Sequence, residues 1–93
     1  MNVRPHTKPL KRHTKIYRVL AALMERSYNR FEAAKILHDH TLHSTVSRIQ
    51  ERGVRVQRKV ETVPGYMNSK VRVCRYWIDP ADLAKAAKLL GMD

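Results

Sequence analysis

The chain predicts a small, mainly α-helical domain with one β hairpin: a three-helix core, a two-stranded wing and a C-terminal helix. Three observations carry that expectation. Apolar residues recur at helical spacing through the first half of the chain. The period switches to alternation directly after Gly53, the mark of half-buried strands. An Asp79-Pro80 pair then opens a last helical stripe.

Helix 1 is expected from about Lys15 to Arg26, with Thr14 as N-cap. Ile16, Val19, Leu20 and Leu23 make its stripe, with Met24 and Tyr17 beside it, and it should stack across the next two helices. Helix 2 should start after Asn29. Asn29 and Glu32 have the spacing of a capping box, which satisfies the first free backbone N–H groups. Phe31, Ala34 and Leu37, with Ala33 and Ile36 beside them, are its expected buried side. Helix 3 should cover about Leu42 to Arg52. Leu42, Val46 and Ile49 stack on one face, Thr41 is the N-cap with Ser44 as the alternative, and Gly53 suits the left-handed residue that ends a helix.

Val54, Val56 and Val60 alternate with Arg55, Gln57, Lys59 and Glu61. Val71, Val73, Tyr76, Trp77 and Ile78 form the returning strand. The hairpin loop is expected over Glu61–Lys70, with a type II turn at Pro64-Gly65 that needs positive φ at the glycine. Trp77 and Ile78 should anchor the hairpin on the helices. Leu83, Ala86, Ala87 and Leu90 stripe the final helix, and Gly91 closes it. Before all of this, residues 1–13 hold Pro5, Pro9 and scattered basic groups without periodicity. A flexible basic arm is the expectation there, followed by one domain over residues 14–93.

Charge restricts the class of partner. Nineteen Lys and Arg oppose eight Asp and Glu, a net +11, with a pI near 10.4. That imbalance in 93 residues creates a field that attracts polyanions. It is unevenly placed. No acid precedes Glu25, whereas Arg4, Lys8, Lys11, Arg12, Lys15 and Arg18 do. From Leu42 to Ile78 eight basic residues face only Glu51 and Glu61. A solvated face is the plain explanation of a charge run, but it does not explain why acids avoid the same segment. A membrane surface ranks last, because the apolar stripes are narrow and the apolar runs short.

The stretches NRFEAAKIL, STVSRIQERGVRV and RYWI occur in that order. Over half to two-thirds of the chain they resemble the winged helix-turn-helix domains of small phage and prophage proteins. One departure is the link HDHTLH, longer and richer in histidine than the usual turn. The resemblance implies a DNA-binding protein of the transcription-regulator type that inserts helix 42–52 in the major groove and rests its wing on flanking backbone. It also implies residence in the cytoplasm of a bacterial host, associated with the nucleoid; the absence of a charged-then-apolar leader agrees. The same fold also serves protein-interaction adaptors and replication, packaging or excision factors.

Phosphate contacts supply affinity, and base contacts supply sequence choice. Arg48 is the best candidate base reader, since its guanidinium can bond two acceptors on guanine. A surface salt bridge with Glu51 or Glu32 is its alternative role. Ser44 and Ser47 are short enough to reach a phosphate or a base edge, and His43 can do either. Thr45 is either half-buried or a phosphate contact. Arg52, Arg58, Lys59, Lys70 and Arg72 complete the candidate DNA-binding set. Double-stranded DNA is the expected partner, with a second copy of the chain, or a protein meeting the wing or last helix, as further candidates. An RNA or ribosome partner fits the charge but lacks a clear set of stacking aromatics.

His38, His40 and His43 invite a metal reading, but a polar surface turn explains them better. The single Cys74 excludes an internal disulfide and fits a small hydrophobe in a strand. No nucleophile–base pairing and no glycine-rich phosphate loop stands out. Neither an enzyme nor a cofactor is expected.

Overall fold

The computed structural model describes residues 10–92. Four helices and a three-stranded antiparallel sheet make a mixed α/β fold, with sheet order β1-β3-β2. The expected helices and hairpin are present, but the β content is larger than "mainly α" allows. Each hairpin strand runs nine residues, and a two-residue strand joins β3 from the other side.

Helix α1 spans Lys15–Glu25, and the Thr14 hydroxyl accepts the Tyr17 N–H at 3.3 Å. Its stripe works as expected: Val19, Leu20 and Leu23 are buried, and Ile16, Tyr17 and Met24 pack against the same core. Burying each large aliphatic side chain stabilises the fold by roughly 1.5–3 kcal/mol. The principal neighbours of α1 are α3 (Leu42–Glu51), as expected, together with β3 (Lys70–Ile78) and α4 (Leu83–Leu89) in place of the second helix.

Strand β1 is Tyr28–Asn29, paired to β3 at Tyr28↔Tyr76 and Asn29↔Arg75. Helix α2 follows at once, as the turn Arg30–Glu32 and then the π-helical turn Ala33–Leu37. The capping box is present: Glu32 N–H donates to Asn29 Oδ1 at 2.9 Å, and Asn29 N–H donates to Glu32 Oε1 at 3.1 Å. The expected buried side is corrected. Ala33 is buried, Ala34 and Leu37 are half-buried, but Phe31 and Ile36 are 45% and 50% exposed. Ile36 lies within the wide turn. His38 N–H bonds to Ala33 O, five residues back, which rotates the stripe relative to α-helical spacing. The Arg30 guanidinium lies over the Phe31 ring at 4.9 Å.

In the hairpin, β2 (Val56–Pro64) pairs with β3 from Val56↔Ile78 out to Pro64↔Lys70. The loop is therefore only residues 65–69, shorter than expected. The turn is also displaced. Gly65 has φ −110, and the left-handed residues are Met67 (φ 55) and Asn68 (φ 64). Gly65 is needed for space instead, since a Cβ there would sit 2.5 Å from Val71 Cγ2. Tyr76 and Ile78 anchor the hairpin in the core. Trp77 does not share this role, because it is half-buried on the other face of the sheet.

Asp79 accepts the Ala81 N–H at 3.0 Å and opens the 3-10 turn Pro80–Asp82 that leads into α4. Asp82 reaches back to the start of the hairpin and accepts the Arg55 backbone N–H at 2.7 Å. Residues 1–9 of the expected arm lie outside the described residues. Its last part is fastened: Leu10 is buried in the core, and its N–H donates to Leu89 O at 2.6 Å.

Candidate nucleic-acid interface

Asp39 positions helix α3. This carboxylate is fully buried in the α2–α3 turn. Its Oδ1 accepts the Thr41 N–H at 3.0 Å, its Oδ2 accepts the Thr45 hydroxyl at 2.7 Å, and Lys15 Nζ lies 3.3 Å from Oδ1. Burial pushes the Asp39 carboxyl up, but the Thr41 N–H, the Thr45 hydroxyl and Lys15 outweigh it and hold it below the usual value. Thr41 is the N-cap residue as expected, yet its own side chain makes no cap bond. The acid two residues earlier does that work. The Asp-His-Thr order, a local side-chain-to-backbone turn, was the available signal.

Thr45 is corrected as a nucleic-acid contact. Its side chain points inward to Asp39 and is 2% exposed. Ser44, Ser47 and Arg48 are exposed, as is His43, whereas Arg52 is half-buried. Arg48 makes no ion pair among the described residues, with Glu51, Glu32 or any other acid. Glu32 is held instead by Arg26 and Arg75, at 3.2 and 2.9 Å. At the end of α3, Gly53 takes φ 92, so the chain leaves sharply for the hairpin.

The hairpin presents two chemically different faces. Opposed residues in an antiparallel pair share a face, and successive residues alternate. Arg58 opposite Tyr76, Thr62 opposite Arg72, and Pro64 opposite Lys70 therefore lie on the face toward α3. Lys59, opposite Arg75, lies on the other face. Grouping Lys59 with Arg58, Lys70 and Arg72 is thus corrected by the pleat. A cleft runs between α3 and this face, lined by His43, Ser47, Gln50, Arg58 and Tyr76. It continues into a second hollow lined by Arg30, His43, Arg72, Cys74 and Tyr76. Arg30 joins the cationic set here without having been singled out in the sequence. It follows the capping asparagine, and no periodicity marks it. Burial raises the Tyr76 phenol at the floor of the cleft.

The other sheet face is where much of the acid is held. Arg75 Nε donates to Glu61 at 3.0 Å, Nη1 donates to Ser27 Oγ at 3.0 Å, and Nη2 donates to Glu32 Oε2 at 3.1 Å. Asn29 Nδ2 adds a bond to Glu61 at 2.8 Å. Glu32 and Glu61 raise the Arg75 guanidinium well above the ordinary arginine range. Asp79 and Asp82 are held by Arg55, at 3.8 and 3.3 Å. With Asp39 on Lys15, five acidic side chains are paired within the fold, sharing Lys15, Arg26, Arg55 and Arg75. Among the described residues, Arg30, Arg48, Arg52, Arg58, Lys70 and Arg72 have no acid partner, and neither do Lys11, Arg12, Arg18, Lys35, Lys59, Lys85 and Lys88 outside the cleft.

Among the described residues, no three His, Cys, Asp or Glu side chains gather as a group able to hold a metal ion. His38 instead takes φ 57 and ends α2. No helix among them is long and apolar enough to cross a membrane. Comparison with known protein families, curated proteins and solved structures returns no match for this chain.

Proposed function

We propose that this is a winged helix-turn-helix DNA-binding protein, of the kind used as a phage transcriptional regulator. Helices α2 and α3 form the helix-turn-helix, and the β2–β3 hairpin is the wing. Helix α3 enters the major groove with Ser44, Ser47 and Arg48 toward the bases. Arg30, Arg58, Lys70 and Arg72 hold the flanking phosphates, with His43 between the two groups. The observation that carries this reading is the sorting of charge. Glu32, Asp39, Glu61, Asp79 and Asp82 are bonded inside the fold, while unpaired cations line the cleft between α3 and the hairpin. A stable fold does not require that separation, and a polyanion is what it suits.

Fluorescence anisotropy of labelled random-sequence duplexes across salt concentration tests the reading. Four phosphate-directed cations give an expected slope of about −3.6 in log K against log salt. Affinity that is insensitive to salt overturns it. The exposed Phe31 and Ile36 of α2 favour a second role beside DNA binding, docking of a protein partner. A partner retained in pull-downs after nuclease treatment, and lost with Phe31→Ser, supports that role.

A further inference from the structure

Tyr66 and Met67 are the most exposed large apolar side chains among the described residues, at 85% and 80%. Their loop is nonetheless well tied. Gly65 N–H donates to Ser69 O at 2.7 Å, Ser69 N–H donates to Tyr66 O at 3.1 Å, and the Ser69 hydroxyl donates to Tyr66 O at 2.6 Å. Met67 and Asn68 hold left-handed backbone, and only Asn commonly tolerates it. An unbranched apolar residue thus occupies a strained position at the outermost point of the hairpin, where nothing covers it.

The geometry points to an apolar wedge: on the DNA-binding reading above, Tyr66 and Met67 enter the adjacent minor groove, unstack a base step and bend the duplex. Spacing supports this occupant. The hairpin meets α3 at Arg58, which lines the cleft with Ser47. From Arg58 to Pro64 is six residues of paired strand, or about 20 Å at roughly 3.3 Å per residue. The centre of a minor groove lies about half a helical turn from the neighbouring major groove, roughly 17 Å. Charge supports it as well. Between α3 and the tip, on one face, stand Arg58, Arg72 and Lys70, where a sugar–phosphate strand must be crossed. The order along the molecule is polar helix, cations, then apolar tip. It matches base edges, phosphates, then an unstacked step, and apolar side chains at such a step kink DNA by about 20–90°. A protein surface matches the tip alone and leaves the intervening cations unused.

The test uses the full chain and a mixed-sequence duplex of about three helical turns, labelled at its ends as an energy-transfer pair. Anisotropy reports binding and energy transfer reports bending. Wild-type protein is expected to bind and to raise end-to-end transfer. Tyr66→Ser with Met67→Asn keeps the left-handed turn, because Asn accepts that backbone. It is expected to bind within about tenfold of wild type and to leave transfer at the value of free duplex. Binding without a rise in transfer, or a rise that survives the double substitution, overturns the wedge and leaves DNA binding intact. No anisotropy change with wild-type protein overturns the DNA-binding reading itself, and the wedge with it. A protein partner lost on the double substitution, with bending unchanged, assigns the tip to protein contact and also overturns the wedge.

Discussion

Replacing Asp39 tests how helix α3 is held. Asp39→Ala removes the acceptor of the Thr41 N–H and of the buried Thr45 hydroxyl, 3.0 and 2.7 Å away. Loss of a cap-type bond costs about 1 kcal/mol. Stranding a buried hydroxyl that had a charged partner costs roughly 1–3 kcal/mol. The Thr45 hydroxyl finds only partial relief at Thr41 O, 3.4 Å away. Lys15 is exposed, so its ion pair adds little. The expected loss is about 3 kcal/mol, a large share of the stability of a domain this size. It lowers Tm by roughly 12–24 °C. Asp39→Asn keeps the shape and one acceptor oxygen, and is expected to cost about 1 kcal/mol. Thermal unfolding followed by circular dichroism, at pH 7 and one protein concentration, measures both. An alanine variant that melts within about 3 °C of wild type refutes the reasoning. So does an asparagine variant as weak as alanine, because its retained oxygen should still accept one of the two bonds.

Three further outcomes follow from the same geometry. Arg48→Ala should weaken binding to a selected duplex site far more than to random duplex, measured by competition; equal losses remove it as a base reader. Arg72→Ala and Arg30→Ala should each lower duplex affinity and reduce the salt slope by about one unit, whereas Lys59→Ala should do neither, because it lies on the opposite sheet face; equal effects from all three discard the two-faced hairpin. The carboxyls of Glu32 and Asp39 sit below their ordinary values in the fold, so near pH 4 the unfolded chain binds more protons than the native protein. Their stabilisation is complete above the unfolded values, about 4, and is lost as pH falls through the lower folded values. Tm should therefore hold from pH 7 to 5 and drop below about pH 4, and a main loss between pH 7 and 5 contradicts this.

Much of the helical framework was legible in local sequence. Thr14, the Asn29–Glu32 box, Gly53 and Asp79 each act within a few residues of the backbone they serve, so spacing alone located them. The stripe of α1 was equally readable, because a regular helix repeats its buried face. Helix α2 was not. Phe31 and Ile36 were expected on or beside the buried stripe of a regular α-helix, but the π turn Ala33–Leu37 breaks that period.

The candidate site divides in the same way. Order along the chain was enough for an exposed α3 carrying Ser44, Ser47 and Arg48. Alternation was enough for a hairpin, but not for its register, which depends on pairing partners far apart in the chain. Register is what separates Lys59 from Arg58, Lys70 and Arg72, and what shortens the loop to residues 65–69. Only the packed structure brings Arg30 beside His43 and Arg72, turns Thr45 inward to Asp39, and gathers Glu32 and Glu61 around Arg75. Local backbone chemistry is written in neighbours and can be read from them. Which charges cancel and which stay free depends on three-dimensional proximity, and that is decided when the sheet closes onto the helices.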